Sequence, residues 1–350
     1  MGSTMQAVVH YELKPGSVEI REVPVPEPRE GEAVLRVAGA AVCGSDVHQY
    51  HNTQSWTVRP PVILGHEFCG RIVAAGKGMA GFKEGDRVVS ETAAVVNPES
   101  PLTRAGKYNL DPARCGFGYD VDGAMASFVR TPVRCLHRVP EGLPDEVAAL
   151  TEPCCVAYQA TAVNSPIKPG AVVAVIGPGP IGLLCTAIAR LHGAGAVVLA
   201  GVTRDRPRLE TGMRMGATHT VDVQAGDPAG TIAALGDGLG ADVVIDAAGV
   251  SVSLKQALGW VRPGGHITKV GWGRDPLNFS LDPLVRKAVT LQGSFSHTWA
   301  VWETVLRLLA SGQLDPRPLI SRVAPLSDWK SCFEGMSAGT LIKSVLTPQA

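Results

Sequence analysis

Hydrophobic and polar positions follow two different patterns along this chain. Up to about residue 155, short apolar runs such as 32–37, 71–74 and 85–89 are separated by Gly and Pro. Short runs bounded by turn residues are typical of β-strands, and no helical periodicity is sustained here. This part of the sequence predicts a compact, mostly-β domain.

From about residue 156 the pattern changes to longer apolar strands that alternate with helix-like stretches. Strands are predicted at 171–176, 196–200, 242–246 and 265–270, and the clearest helices at 181–192 and 206–215. Nearly continuous apolar strands separated by helices indicate a parallel sheet covered on both faces. The predicted fold class is therefore α/β, with a doubly wound parallel-sheet domain joined to the mostly-β domain.

The C-terminal part predicts a helix at 299–311 followed by strand-like pieces, and we expect it to return to the first domain. The predicted domains are then 1–155 with 296–350, and 156–295. Residues 289–294 are predicted to form an edge strand of the parallel sheet.

Residues 169–189 carry no charged side chain, and a stretch of that length could span a membrane. Prolines and glycines interrupt it, so a buried strand, a tight turn and a buried helix are the better interpretation. The N-terminus lacks a basic and then apolar signal sequence. We expect neither a membrane protein nor an exported one.

Composition narrows the partners and the compartment. Of 350 residues, 45% are hydrophobic, and 32 Lys+Arg balance 32 Asp+Glu. No basic surplus or basic run points to nucleic acid or an anionic membrane, so small neutral molecules are the expected partners. The eight cysteines are spaced irregularly for a disulfide scaffold, which a protein of this size does not need. A cytoplasmic location fits this pattern.

A glycine-rich turn lies between a predicted strand and a predicted helix. It contains Gly177, Gly179, Pro180, Ile181 and Gly182 in a GxGxxG pattern. The glycines permit a tight turn, the approach of backbone to a pyrophosphate, and close helix–strand packing, while the helix N-terminus offers free N–H groups. In this context the motif predicts a bound dinucleotide cofactor.

The end of the predicted strand at 196–200, the second of the parallel sheet, bears on the choice between NAD and NADP. An acidic residue there usually binds the free ribose 2′-hydroxyl of NAD. Here Gly201 takes that position, and Thr203, Arg204 and Arg206 follow. Guanidinium groups suit the 2′-phosphate of NADP, which we favour over NAD. The arginines could also be solvated surface residues, and Asp205 could reach the ribose.

Thiolate, imidazole and carboxylate side chains are grouped in the first domain. Cys43 opens the stretch 43–48, His66 and Glu67 follow an apolar run, and Glu152 precedes a proline. Charged or imidazole groups in an apolar β region need partners, and a metal ion supplies one. These four residues are the candidate ligands of one metal site.

The motifs closely resemble the zinc-dependent medium-chain alcohol dehydrogenase family, and within it the polyol branch that includes sorbitol and threonine dehydrogenases. The resemblance covers essentially the whole chain. The matching motifs occur in the family's order, at 43–46, 65–67, 85–88 and 177–182. The resemblance implies a GroES-like catalytic domain, a Rossmann domain and NAD(P)-dependent oxidation of an alcohol or polyol.

The resemblance also implies how zinc is bound. Cys43 and His66 are expected to bind the catalytic zinc directly, and Glu67 in some coordination states. Glu152 is expected to complete the set directly or through zinc-bound water, with Cys154 and Cys155 as rival ligands. The pair Glu152-Pro153, at the ligand position after Cys43 and His66, is typical of the polyol branch.

The catalytic roles follow from the same resemblance. Asp46 is expected to accept a hydrogen bond from the distal nitrogen of His66. Ser45 is expected to bind the substrate hydroxyl and to pass its proton through the cofactor ribose to His48. Zinc would lower the pKa of the bound alcohol and so favour hydride transfer to the nicotinamide.

One motif of the family is missing. Its structural zinc is held by four cysteines, and the matching positions here carry Asn97, Ser100, Thr103 and Asp111. One Asp with neutral oxygens is a poor substitute for the sulfur ligands that zinc prefers. We expect no structural zinc, so this lobe must be held by packing and hydrogen bonds or be mobile.

The family's substrate pocket lies between the domains, above the zinc. The aromatic and histidine candidates near it, each of which could equally be a packing residue, are Tyr50, Phe117, Tyr119, Phe295, His297 and Trp299. Sorbitol enzymes have an arginine after the phenylalanine, where this chain has Ser296. We expect a secondary alcohol on a sugar alcohol, cyclitol or amino-alcohol.

Two other functions remain open at this point. A zinc-free enone or quinone reductase of the same fold would not need the Cys/His/Glu set. A nucleotide-binding protein without catalysis would fit a lineage that has lost its structural cysteines. The edge strand at 289–294 often pairs with a second subunit in this family, so a homodimer or homotetramer is expected.

Overall fold

The computed structural model describes residues 3–348, which form two compact units. The first contains the chain up to Glu152, His297–Ser311, and the chain from Ile320 onward. The second contains Pro153–Ser296 and Gly312–Leu319. Among the described residues, no helix is both long enough and apolar enough to cross a membrane.

The strands are β1 Thr4–His10, β2 Val18–Pro24, β3 Glu32–Ala41, β4 Val62–Ile63, β5 Glu67–Ala75, β6 Arg87–Ser90, β7 Ala93–Val95, β8 Cys115–Gly116, β9 Phe128–Pro132, β10 Leu136–Arg138, β11 Val172–Ile176, β12 Ala196–Gly201, β13 His219–Asp222, β14 Ala241–Asp246, β15 Val261–Lys269, β16 Thr290–Gly293, β17 Ile320–Pro325 and β18 Lys343–Thr347.

The α-helices are α1 Gly44–His51, α2 Pro101–Arg104, α3 Asp145–Ala148, α4 Thr151–Tyr158, α5 Pro180–Leu191, α6 Arg206–Arg214, α7 Pro228–Ala234, α8 Ser251–Trp260, α9 Asp282–Arg286, α10 Trp299–Ala310 and α11 Trp329–Ser337. A π-helical turn, Gln159–Val163, extends α4. Short 3₁₀ turns lie at Tyr108–Leu110, Val133–Cys135, Thr203–Asp205, Arg317–Leu319 and Leu326–Asp328.

The first unit is built on a seven-stranded sheet that the C-terminal strands complete. Its strands lie in the order β10-β6-β5-β3-β18-β17, and β9 also pairs with β3. Strand β18 runs antiparallel to β3, with Val345 opposite Ala41, so the C-terminal segment packs in this unit. The core of this unit includes Leu35, Phe68 and Phe333. The mostly-β character predicted for this part is confirmed.

The first unit also contains helices where the sequence predicted strands and turns. Helix α1 has eight residues with few apolar side chains, so it leaves no periodic signal in the sequence. Helix α11 lies in the segment that was predicted to be strand-like. Its Trp329, Phe333 and Met336 recur at helical spacing, which is the signal that identifies it.

The second unit is a six-stranded parallel sheet in the order β13-β12-β11-β14-β15-β16. Strands β11 and β12 are buried along their whole length, as expected for a sheet covered on both faces. The strand order reverses on either side of β11, which is where doubly wound sheets bind ligands. The predicted α/β class is confirmed, and β16 lies at the sheet edge as predicted.

Candidate metal centre and cofactor site

The motif that begins at Cys43 forms the N-terminus of helix α1. Cys43 precedes the helix, and Asp46 Oδ2 accepts a hydrogen bond from its N–H at 2.9 Å. A carboxylate here satisfies a free backbone donor and is stabilised by the helix dipole. Asn52 ends the helix in a left-handed conformation, with φ of 51°. This short capped helix fixes the directions of Cys43, Ser45, Asp46 and His48.

Strand pairing brings His66 and Glu67 close to Cys43. Glu67 is the first residue of β5 and pairs with Ala41, the last residue of β3. Gly65 has φ of 94°, and a Cβ at this position would lie 2.8 Å from a methionine side chain. Only glycine meets both conditions, so the turn before His66 depends on Gly65.

Three potential ligand atoms converge at this point. They belong to Cys43, His66 and Glu67, and all lie within 4.8 Å of one another. His66 and Glu67 are buried, and Cys43 is half-buried. A thiolate sulfur, an imidazole nitrogen and a carboxylate oxygen are the donor types that zinc prefers. The group includes neither Glu152, which was predicted to complete the ligand set, nor Cys154 and Cys155, which were predicted as rival ligands.

A buried lysine accompanies Glu67. The Nζ atom of Lys343 lies 2.6 Å from each oxygen of the Glu67 carboxylate, and both side chains are at most 2% exposed. Burial disfavours the ammonium, but the Glu67 carboxylate outweighs that effect and raises the pKa of Lys343. Our sequence reasoning missed Lys343, although a lysine in the otherwise apolar strand β18 is a signal for a buried partner.

The His66 ring lies among negative charges. Its Nδ1 is 3.8 Å from Oδ1 of Asp46, which is longer than the hydrogen bond that the resemblance implies. Burial disfavours the imidazolium, but the charges of Asp46, Cys43 and Glu152 outweigh it and raise the pKa of His66 to about 10. A bound cation would take the place of this proton, because a ligating imidazole is neutral. The electrostatics therefore suit a metal cation.

Glu152 lies in the first turn of α4 and is held by a second buried histidine. Its Oε1 accepts from Nε2 of His297 at 3.2 Å, and the indole N–H of Trp302 donates to Nδ1 of His297 at 2.7 Å. Burial raises the pKa of Glu152, but the His297 hydrogen bond outweighs it, and the net shift is downward. His297, predicted as a substrate contact, is thus buried against a candidate ligand.

Ser45 and Tyr119 are joined by a hydrogen bond next to His66. The Ser45 and Tyr119 hydroxyl oxygens are 2.8 Å apart, and the Tyr119 hydroxyl is 3.3 Å from Nε2 of His66. Burial and the charges of Cys43 and Asp46 raise the pKa of Tyr119 well above its ordinary value, so the phenol stays protonated. Nδ1 of His48, on the exposed side of α1, lies 2.8 Å from the Thr53 hydroxyl.

The other predicted substrate contacts lie in different surroundings. Tyr50 packs edge-on against Trp329, with 5.7 Å between ring centroids, and Phe117 is 1% exposed in the core of the first unit. Phe295 belongs to the second unit and is 38% exposed. Trp299 is the first residue of α10 and is 52% exposed.

The glycine-rich turn after β11 has the geometry expected of a dinucleotide site. Gly177 has φ of 97°, which favours glycine, and a Cβ at Gly182 would lie 1.9 Å from the Gly177 carbonyl oxygen. A Cβ at Gly179 would meet nothing within 4 Å, so the backbone here is open to a ligand. Gly179 precedes helix α5, which begins at Pro180 and continues through Ile181. The turn and helix can cradle a pyrophosphate.

A carboxylate that our sequence reasoning missed holds the neighbouring loop. Asp246, the last residue of β14, is fully buried and accepts hydrogen bonds from the Ala248 N–H and the Ser253 hydroxyl. Lys269 Nζ lies 3.1 Å from its other oxygen. A Cβ at Gly177 would lie 2.9 Å from Ala248, so this loop packs directly on the glycine-rich turn.

An open cavity of about 630 Å³ lies at the end of β12, lined by Val202, Thr203, Arg204 and Gln224. Arg204 and Arg206 are exposed, and Arg206 Nε is 3.6 Å from Glu210.

Two carboxylates, those of Asp205 and Asp222, are hydrogen-bonded to residues that line this cavity. Asp205 Oδ2 accepts from the Val202 N–H at 3.1 Å, so Asp205 is turned towards its own backbone. Asp222 accepts from the Thr203 hydroxyl at 2.7 Å and from the Gln224 N–H at 2.9 Å.

In the lobe at 97–111, where the four cysteines are absent, the Asp111 carboxylate accepts several hydrogen bonds. Its Oδ2 accepts from the Asn97 N–H at 2.7 Å and from the Thr103 hydroxyl at 3.3 Å, and its Oδ1 accepts from the Ala113 N–H at 3.1 Å. The hydrogen bond from Asn97 is the main cause that lowers the pKa of Asp111, and Ser100 contributes a further one. The positions that match the four cysteines are therefore joined by one carboxylate.

Two protein families match this chain. Residues 29–141 match the alcohol dehydrogenase GroES-like domain, and residues 180–311 match the zinc-binding dehydrogenase domain. The first match covers Cys43, His66 and Glu67, and the second begins at Pro180 of the glycine-rich turn.

Individual relatives match over nearly the full length. A sorbitol dehydrogenase of Halalkalibacterium halodurans is 36% identical over 98% of this chain and 99% of its own. An L-threonine 3-dehydrogenase of Bacillus licheniformis is 32% identical over 99% of this chain and all of its own. A crystal structure from Sinorhizobium meliloti, assigned as a zinc-binding dehydrogenase and solved with NADP, superposes with a TM-score of 0.90 at 30% identity, covering 99% of this chain and 100% of that chain.

Proposed function

Because this chain belongs to the zinc-dependent medium-chain alcohol dehydrogenase family, and within it to the polyol branch, we propose that it oxidises a secondary alcohol on a sugar alcohol, cyclitol or amino-alcohol with NADP. The observation that carries this proposal is the convergence of Cys43, His66 and Glu67 within 4.8 Å. The glycine-rich turn before α5 supplies the cofactor site in the same chain.

The residues present fit one catalytic zinc. Cys43, His66 and Glu67 or Glu152 would hold it, and the surplus negative charge around His66 favours a divalent cation at this point. When bound, zinc supplies the Lewis acidity that lowers the pKa of an alcohol hydroxyl, and the nicotinamide accepts the hydride. Asp46, close to His66 on α1, would limit the rotation of that ring.

The chain's own hydroxyl and imidazole groups would handle the proton. Ser45 would accept the proton of the substrate hydroxyl while giving up its own hydroxyl proton, and His48, on the exposed side of α1, would take up that proton and release it to solvent. Tyr119, kept protonated by its surroundings, would donate to Ser45 and hold its oxygen in one direction. These roles need groups that lie on fixed elements, which the capped helix α1 provides.

The surroundings of Arg204 support NADP. Arg204 lines the cavity at the end of β12, where Gly201 leaves no side-chain carboxylate and Asp205 is bound to backbone. A guanidinium there can bind the 2′-phosphate dianion of NADP through charge-assisted hydrogen bonds. The neutral ribose hydroxyl of NAD cannot form such a contact. Asp222 lies nearby, and the Thr203 hydroxyl and the Gln224 N–H occupy its oxygens.

The decisive experiment combines metal content with activity. We expect elemental analysis to find about one zinc per chain, and a panel of sugar alcohols, cyclitols and amino-alcohols to be oxidised with reduction of NADP. Full removal of zinc should abolish the activity, and added zinc should restore it. Activity that survives complete removal of zinc would contradict the proposal and favour a zinc-free reductase.

The cofactor preference has its own test. Arg204→Ala should raise KM for NADP roughly tenfold or more while leaving KM for NAD nearly unchanged, since a charge-assisted phosphate contact is lost. Arg214→Ala, at the end of helix α6, which follows the 3₁₀ turn that contains Arg204, is the matched control and should change neither constant. A higher kcat/KM with NAD than with NADP in the wild-type enzyme would overturn the choice of NADP.

The assembly proposed is a homodimer or homotetramer formed through the edge of the parallel sheet. Strand β16 is exposed along its length and lies at the end of the sheet. Exposed apolar side chains nearby in the sequence include Leu281, Val285 and Leu291. An exposed edge strand pairs readily with a second copy. A single monomeric species in analytical ultracentrifugation would contradict this assembly.

A further inference from the structure

Two buried histidines contact the indole ring of Trp302, and they have different polar partners. His297 meets the ring edge-on, with 5.1 Å between centroids and 83° between planes. His137 stacks on the ring, with 5.4 Å between centroids and 11° between planes. His297 is hydrogen-bonded to Glu152, whereas His137 is hydrogen-bonded to Glu303. The pair allows the role of one buried histidine to be tested against the other.

Trp302 determines which nitrogen of His297 carries the hydrogen. An indole N–H can only donate, and this one lies 2.7 Å from Nδ1 of His297. Nδ1 must therefore accept, which leaves the ring hydrogen on Nε2. Nε2 lies 3.2 Å from Oε1 of Glu152, so His297 donates to that carboxylate. Two hydrogen bonds therefore run in one direction: Trp302 donates to His297, and His297 donates to Glu152.

We propose that His297 is a positioning residue of the metal centre: it holds one oxygen of Glu152 and leaves the other available to the metal. This rests on the proposed function, in which Glu152 is a zinc ligand. His297 is 2% exposed and Glu152 is 6% exposed, so water cannot easily replace the contact. Such outer partners fix the orientation of ligating carboxylates.

The tautomer matters for the charge of the site. With its hydrogen on Nε2 only, the His297 ring orients the carboxylate without placing a second positive charge beside the cation. Lys343 already provides one cation at Glu67. Trp302 therefore contributes to metal binding without contacting the ligand, because it selects the form of His297 that donates to Glu152.

The test compares two substitutions that separate volume from hydrogen bonding. His297→Phe keeps an aromatic ring and removes the donor, whereas His297→Gln is less like the ring in shape but can donate to Glu152. Zinc affinity is measured by competition with a chromophoric chelator, and the cobalt-substituted protein is followed by its visible absorption spectrum. We expect Phe to weaken zinc binding about 10–100-fold and to change the cobalt spectrum, and Gln to restore most of the affinity.

His137→Phe is the matched control. It removes a buried histidine from the same indole ring, and this histidine is hydrogen-bonded to Glu303 and Glu91, two carboxylates outside the candidate ligand set. We expect a lower midpoint of thermal unfolding with unchanged zinc affinity. If the His297 variants do not fold, Trp302→Phe removes the indole donor but keeps a smaller aromatic ring, and it should weaken zinc binding several-fold, by an order of magnitude at most.

Two results would overturn the inference. One is a His297→Phe protein that binds zinc as tightly as the wild type. The other is a His297→Gln protein that binds zinc more weakly than His297→Phe, since that order follows side-chain shape and not the donor. A wild-type protein that binds no zinc would instead refute the proposed metal site, on which this inference depends.

Discussion

The candidate metal centre at Cys43 and the lobe around Asp111 differ in the residues they carry at the positions expected to bind zinc. At the first, Cys43, His66 and Glu67 remain within 4.8 Å of one another. At the second, the four cysteine positions carry other residues, and the Asp111 carboxylate accepts hydrogen bonds from Asn97 and others in their place. Both regions lie in the first unit.

The difference lies in how the negative charge is balanced. Asp111 is surrounded by N–H and hydroxyl donors, so its pKa is lowered by the hydrogen bonds it accepts. At the metal centre, several anionic groups surround His66 and raise its pKa to about 10. A carboxylate with enough donors is stable by itself, whereas a cluster of anionic ligands requires a cation. We therefore expect zinc at the first region and none at the second.

The largest effect is expected from removing the thiolate. Cys43→Ala should reduce the zinc content from about one per chain to near zero and lower kcat/KM by roughly 10³-fold or more, since metal catalysis supplies several kcal/mol. Zinc is measured by elemental analysis and activity by cofactor reduction. Cys115→Ala, at another half-buried thiol of the same unit, is the control and should change neither. Full zinc content in Cys43→Ala would show that the candidate metal centre does not need the Cys43 thiolate.

The next largest effect is expected at the buried ion pair. Lys343→Met leaves the Glu67 carboxylate unpaired and should lower the free energy of unfolding of the metal-free protein by about 3–5 kcal/mol. The double variant Lys343→Met with Glu67→Gln should recover much of that loss, because no buried charge is left uncompensated. Urea unfolding of the wild type, of the single variants Lys343→Met and Glu67→Gln, and of the double variant measures the coupling. Simple additivity of the two changes would show that the pair does not interact.

A smaller effect is expected in the second region. Asp111→Asn should lower the midpoint of thermal unfolding by a few degrees at neutral pH, because a charged acceptor of several hydrogen bonds is lost. Glu99→Gln is the control on the same lobe: its carboxylate pairs with Arg104 at the surface and should contribute little. A second zinc that is bound at this lobe and lost in Asp111→Asn would contradict our interpretation.

The contribution of the Asp111 carboxylate to the free energy of unfolding should depend on pH in one direction. The folded-state pKa of Asp111 lies below the ordinary value of 3.8, so its contribution is present above 3.8 and is lost as pH falls through the folded pKa. The stability difference between wild type and Asp111→Asn should therefore stay constant from about pH 7 to pH 5. A difference that disappears within that range would show that another group is responsible.

The smallest effect is expected at the hydroxyl next to His66. Tyr119→Phe removes one hydrogen bond to Ser45, worth about 1 kcal/mol, and should lower kcat about fivefold with unchanged zinc content. Ser45→Ala should lower kcat further, since in the proposed function Ser45 accepts the substrate proton. Loss of zinc in Tyr119→Phe would show that Tyr119 belongs to the metal centre itself.

Much of the fold could be predicted from local patterns. The parallel sheet was predicted because buried strands such as β11 and β12 are continuous apolar runs, and helices α5 and α6 began within one residue of the prediction. Helix α1 was missed because eight mostly polar residues carry no apolar period. The Asp46 carboxylate, which accepts from the Cys43 N–H three residues earlier, is the one local signal of its start, whereas its packing is not visible in the sequence.

The candidate site likewise has features that the sequence predicts and contacts that it does not. Residue identity and short spacing were enough to predict the donor types of the candidate metal centre, the glycine-rich turn and the loss of the four cysteines. The contacts of Lys343 with Glu67, of His297 with Glu152 and of Asp111 with its lobe are visible only in the folded chain. Lys343 and Glu67 are 276 residues apart, and His297 and Glu152 are 145 apart. Contacts over such separations arise from strand pairing and burial, which short-range sequence patterns do not encode.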